Sequence, residues 1–258
     1  MSEIRPLHRL FGLSWIDFFQ GTPIVVETEL DLSLKQQFID LVLIRKGPGP
    51  LPDGFEDLAA HNLLTFKSHQ EALDAWALWE LVGHFVNYRK QASPSLNDLL
   101  PEGDFRLFAV CARYPNKLAQ QVALTPLRAG VYEVQGLGLR IRVIVAHQLP
   151  LEEHNAMLHL FSARLELLRY GREHYRPHSQ ETSSLLYELF NVYNEDSDMH
   201  DKLKEFVQET QVELLKGMSA QELVRALSPE TLEALTRLLK ANGHSTKPDA
   251  KPTDRPRE

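Results

Sequence analysis

The sequence predicts an α/β protein: a mixed β-sheet flanked by helices and followed by an all-helical extension. Two observations carry this. Near the start, apolar residues recur at helical spacing and then alternate, or run unbroken, over strand-length segments. Beyond Pro177 the pattern is helical almost to the end. With 258 residues, 43% hydrophobic and 24% charged, the chain can bury one large core, or one core plus a smaller helical appendage.

The segment from Pro6 to Gln20 reads as a helix with Leu10, Leu13, Ile16 and Phe19 on one face, stopped by Gly21 and Pro23. From Ile24 to Leu34 the chain alternates, with Val26, Thr28, Leu30 and Leu32 against Glu27, Glu29, Asp31 and Ser33. A second strand, Gln37 to Arg45, is nearly all apolar apart from Asp40, the pattern of a central strand covered on both faces. Gly47 to Gly54 is a loop by its Gly and Pro content. A third strand runs from His61 to Lys67. A helix from about Gln70 to Gln91 then shows an apolar stripe of Ala72, Ala75, Trp76, Trp79, Val82, Gly83 and Val86, opposite Glu80, His84, Asn87 and Gln91.

A fourth strand covers Phe105 to Arg113. Two more, near Gly130–Val134 and Leu139–His147, are joined as a hairpin through Gly136-Leu137-Gly138. Leu151 to about Arg169 reads as one helix. Later helices carry start signals at Ser197-Asp198, at Ser219 with Glu222, and at Ser228-Pro229-Glu230, and Gly243 is a stop. The expected division is an α/β domain over 1–178, a helical extension over 179–243 and a disordered tail over 244–258.

Charge narrows the function. A net charge of −7 is incompatible with coating nucleic acid by bulk electrostatics, so any DNA contact needs a local basic patch. Residues 1–180 hold 18 Lys and Arg against 20 Asp and Glu, and 181–258 hold 10 against 15, so the acid excess lies mostly toward the C-terminal end. Arg164, Arg169, Arg172 and Arg176, with His174, form a candidate phosphate-contacting cluster that reads equally as the polar face of a long surface helix. The lone Cys111, the absence of an export signal and the lack of an apolar run of about 18 residues lead to the expectation of a cytoplasmic protein without a membrane segment. No phosphate-binding loop, dinucleotide fingerprint, helical zinc pair or nucleophile elbow occurs.

Asp40 on the second strand, and Leu63-Leu64-Thr65-Phe66-Lys67-Ser68 at the end of the third, carry a resemblance to a known family. In layout (helix, three strands, helix, strand) and in this placement of acid and lysine, residues 5–178 resemble the PD-(D/E)XK nucleases. The long aromatic helix ending Tyr88-Arg89-Lys90 and the later Leu-Ser-Pro-Glu phrase look like their transposase-like, recombination-promoting members. The resemblance implies a restriction-endonuclease-like core and a metal-dependent DNA endonuclease using Mg²⁺, or Mn²⁺ in its place. It implies Asp40 as the central metal ligand, the Phe66 carbonyl as a second ligand and Lys67 as the group assisting hydrolysis. The acid two residues before the lysine is replaced by Thr65.

A further acid is therefore required. Glu29 leads, on the polar face of the neighbouring strand, although a solvated strand-face acid is the commoner fate of such a residue. Glu27, Asp17 and Glu80 remain open, Glu80 as an acid that has migrated from position 65. Trp76 and Trp79 are read as core side chains rather than base-stacking platforms. The competing function is an inactive nuclease-fold chain acting as a binding module. A third reading is self-association through the helices after Pro177, whose stripe Met199, Leu203, Phe206, Thr210 and Leu214 must pack on something.

Overall fold

The computed structural model describes residues 4–31, 38–136, 139–176, 185–196 and 201–219, together with 221, 223–224, 231–234 and 236–237. The caps expected at Ser197-Asp198 and Ser228-Pro229-Glu230, together with Leu32 to Leu34, Met199, Glu222, the turn residues Leu137-Gly138 and the 244–258 tail, lie outside the described residues.

Among the described residues the fold is mixed α/β, with a seven-stranded mixed sheet flanked by helices. Helix α1 (Ile4–Phe18) leads into β1 (Ile24–Asp31), β2 (Phe38–Arg45) and β3 (His61–Lys67), which pair antiparallel in turn. Helix α2 (Ala75–Ala92) crosses over to β4 (Phe105–Cys111), parallel to β3 in the register His61–Phe105 through Lys67–Cys111. A one-turn helix α3 (Asn116–Ala119) precedes β5 (Thr125–Arg128), β6 (Val131–Gly136) and β7 (Leu139–Val145). β7 returns to pair parallel with β4, giving the strand order β1-β2-β3-β4-β7-β6-β5. The β6–β7 pair closes at Gly136–Leu139, as the hairpin pattern requires. β5 went unseen in the sequence because every residue of it is exposed and it contains Pro126. Both are marks of an edge strand that presents no apolar alternation.

The sheet separates two cores. On one side Leu41, Leu43, Leu64, Phe66 and Phe108 pack against α1 and the C-terminal helices. On the other, Val42, Leu63, Leu107, Ala109 and Val143 pack against α2. The nearly continuous apolar runs of β2 and β4, interrupted by Asp40 and Arg106, are thus explained by burial on both faces.

Three helical expectations need correction. In α1, Ile16 is exposed and the inward face is Leu7, Leu10, Phe11, Trp15 and Phe18. In α2 the tryptophans of the expected stripe face solvent, Trp76 and Trp79 being 69% and 52% exposed, and only its Ala75 and Val82 pack partly against the core, while Ala77, Leu78, Leu81, Phe85 and Tyr88 are buried. The helix carries two apolar rows. The inner row is unbroken over three turns, whereas the tryptophan row is interrupted by Gly83 and bordered by Glu80 and His84. Its start is also later than expected, because the Asp74 carboxylate caps it by accepting the Ala77 N–H at 3.0 Å.

The single helix expected over Leu151 to Arg169 is two: α4 (Ala156–His159) and α5 (Leu165–His174). Between them Ser162 donates to the His159 carbonyl and accepts the Arg164 N–H, local bonds that replace the helical ladder, and Ala163 takes a left-handed φ of 52°. The arginine cluster therefore does not line a long surface helix. Arg169 lies over the Phe206 ring, and Nε of Arg172 is buried.

Helices α6 (Leu185–Glu195) and α7 (Asp201–Gly217) complete the first core: Leu189, Phe190, Tyr193, Leu203 and Val207 are buried in the same cluster as Phe11 and Trp15. In the α7 stripe Leu203 and Thr210 are buried, and Phe206 and Leu214 are partly buried against the first core. No helix among the described residues is long and apolar enough to cross a membrane.

Candidate active site

The β2–β3 ladder stops at Leu41–Leu64, although both strands continue past it. In the gap that follows, Asp40 lies partly buried between the two strands. Its Oδ2 accepts the Phe66 backbone N–H at 2.7 Å and the Thr65 hydroxyl at 2.9 Å, replacing the bonds a continued ladder would have made. A strand residue presents its N–H and C=O to the same neighbour, so the Phe66 carbonyl shares that side of β3.

The gap also admits a residue from the opposite layer. His8 on α1 donates Nδ1–H to Asp40 Oδ1 at 2.7 Å and Nε2–H to Glu71 Oε2 at 2.9 Å. Both acceptors are carboxylates, so both ring nitrogens carry protons and the ring is cationic. Burial alone would lower the His8 pKa, but hydrogen bonds to Asp40 and Glu71 and their charges outweigh it and raise it to about 9. Conversely, burial would raise Asp40, yet His8, the Phe66 N–H and Thr65 hold it below the usual carboxylate range. Glu71 is lowered in the same way by His8, the Ser68 N–H and Lys67, again against burial. Ser68 donates both N–H and hydroxyl to Glu71, and Lys67 Nζ lies 4.0 Å from its other oxygen.

On the α2 side this network opens into a cavity of about 430 Å³. Asp40, Thr65 and Lys67 form its sheet wall, and Trp76, Trp79, Glu80 and His84 its helix wall. Thr65 and Lys67, two apart on β3, share the face that carries Leu63 toward α2. Asp40, Lys67 and Glu80 are therefore brought together. No match is found to any family model, to any curated protein or to any solved structure.

The remaining candidates are placed as follows. The β1–β2 register, which pairs Thr28 with Leu41 and Leu30 with Ile39, sets position 29 opposite position 40, but the Glu29 side chain lies outside the described residues. Glu27 is not part of the cavity wall. Asp17 is buried in the first core, where the Tyr175 hydroxyl donates to it. Among the described residues, no group of three or more His, Cys, Asp and Glu side chains is arranged to hold a metal ion. Burial pushes the Cys111 thiol up to about 12, which removes it as a nucleophile.

Sequence reasoning missed His8 and Glu71. No spacing joins position 8 to position 40, because they meet only through the gap in the sheet. Glu71 was absorbed into the expected start of α2, whereas it belongs to the turn that precedes the Asp74 cap.

Proposed function

We propose that this cleft hydrolyses phosphodiester bonds of DNA in the manner of the PD-(D/E)XK nucleases, with Asp40, Lys67 and Glu80 as its working groups. The carrying observation is that an acid and a lysine from adjacent strands line one cavity where their ladder ends, with a second carboxylate facing them from α2. The succession α1, β1, β2, β3, α2, β4 supports the restriction-endonuclease-like reading of the core; the transposase-like, recombination-promoting kinship rests on the sequence resemblance.

The donor set suits a hard cation. Oδ1 of Asp40 keeps a lone pair beyond its bond to His8, and Glu80 adds carboxylate oxygens; Mg²⁺ needs only one or two protein carboxylates together with substrate phosphates. Asp40 and Glu80 would hold Mg²⁺ or Mn²⁺, with the Phe66 carbonyl and Glu29 as the further ligands the resemblance implies. The cation would supply polarisation of the phosphate and a bound water of lowered pKa. The chain's own contribution is positional. Thr65 and the Phe66 N–H fix the Asp40 carboxylate, and Lys67 offers an ammonium to the charge that develops on the phosphate oxygens.

Nicking of supercoiled DNA with Mg²⁺ or Mn²⁺ tests this, beside Asp40→Asn, Lys67→Met and Glu80→Gln variants checked for native melting. Metal-dependent cleavage is expected, falling about 100-fold or more in each variant. Absence of cleavage of supercoiled, linear and single-stranded DNA with both metals would overturn it.

A second reading, a nuclease-fold chain that binds without cutting, is favoured by two observations. The His8 cation already neutralises Asp40, and Thr65 stands where the motif carries an acid.

A further inference from the structure

Trp76 and Trp79 are among the most exposed large apolar side chains of the described residues, and both stand on the wall facing Asp40 and Lys67. Large indoles are seldom left uncovered, and a rimmed apolar surface of this kind marks a binding site. At i and i+3 they lie on the same flank of α2, their Cβ atoms roughly 5–6 Å apart. Lys67 faces them across the cavity as a partner for phosphate.

Gly83 supplies an independent observation. A glycine within a helix costs stability, and it is normally retained for close packing or an unusual backbone angle. Neither applies here: a Cβ at position 83 would meet nothing within 4 Å, and the residue lines the same cavity. The missing side chain leaves that much more of the cavity open beside its helix wall.

We propose that the cleft takes its DNA unpaired, with successive bases stacked on Trp76 and Trp79 and the backbone phosphate on Lys67. This deepens the phosphodiesterase reading and rests on it for the identity of the polymer. In a duplex the base faces are covered by their neighbours, so only a single strand or a frayed end can offer them to an indole. A cavity of about 430 Å³ has the scale of a small-ligand pocket, suited to a nucleotide unit rather than a double helix.

The test is fluorescence anisotropy with the full chain in EDTA, where nothing is cut. The probe is a labelled oligothymidylate of about 12 nucleotides, compared with the same length as duplex and as an abasic strand. Single-strand binding at least about tenfold tighter than duplex or abasic binding is expected. Trp76→Ala and Trp79→Ala should each weaken it about 5- to 150-fold, Trp79→Phe should retain most of it, and Gly83→Leu should weaken it by filling the cleft.

Equal affinity for duplex, unchanged binding by both alanine variants, or no binding at all would overturn the proposal. So would indoles shielded from iodide quenching in the free protein, which would assign the patch to self-association. The two readings separate cleanly. Binding without hydrolysis leaves the single-strand class standing and removes the hydrolase. Duplex cleavage at the wild-type rate by Trp76→Ala and Trp79→Ala does the reverse.

Discussion

His8 donates to two carboxylates at once, and its folded pKa of about 9 lies above the ordinary histidine value of 6.5. The sign of the linkage follows. The folded state binds the proton more tightly than the unfolded chain, so the stabilisation is fully present below pH 6.5 and is lost as pH rises through about 9. Asp40 and Glu71, with lowered pKa values, report the same interaction from the acid side: their contribution is present above the ordinary carboxylate range and lost as pH falls through their depressed values. Urea unfolding of wild type should therefore show stability declining between pH 6.5 and 9. His8→Ala should flatten that decline and lower stability at pH 6.5 by about 3 kcal/mol, because two carboxylates are left without their counter-charge. An unchanged pH profile in His8→Ala would remove the bridge from the stability of the fold. None of this was legible in the sequence, where His8 is one of several polar residues on a helix. Asp40 and Lys67 were legible, because an acid inside an apolar strand and a lysine at a strand end stand out against their surroundings.

Strands proved more readable than helix faces. The ends of β3 coincide with the expected His61 and Lys67, and β2 ends at the expected Arg45. For α2 the pattern offered two apolar rows, and periodicity alone does not say which row a sheet will cover; the larger rings sat in the losing row. In the 151–169 segment, composition gave no warning of the break, which comes from Ser162 bonding locally and Ala163 accepting a left-handed φ. That break lets α5 fold back on α4, and Gly171 packs tightly against the backbone of Ala156. A Cβ there would lie 2.8 Å from the Ala156 carbonyl oxygen, nearer than real Cβ contacts allow. Gly171→Ala improves helix propensity, yet it is expected to destabilise by about 1–3 kcal/mol, read as a lower urea midpoint at unchanged m. Stabilisation instead would mean that α4 and α5 can separate without cost.

Across the whole molecule, the sheet is a partition. α2 and the one-turn α3 cover the cleft side, while α1, α4, α5, α6 and α7 jointly fill the other. α1 and α6 are far apart in the sequence, yet Phe11 and Trp15 share one buried cluster with Leu189, Phe190 and Tyr193, and Arg9 reaches Glu188. A chain ending at residue 180 is therefore expected to bind a hydrophobic dye and to elute as aggregates in size exclusion, whereas a native-like monomer would show that α6 and α7 are dispensable to this layer. The same arrangement bears on how the protein is made. At about 5–20 residues per second, roughly 10 to 30 s separate the emergence of α1 from that of α6. Through that interval Phe11 and Trp15 have only the partial cover that Phe55 and Phe66 give them, so the hazard in producing this protein is expected to fall during its translation, while the rest of that layer is still on the ribosome.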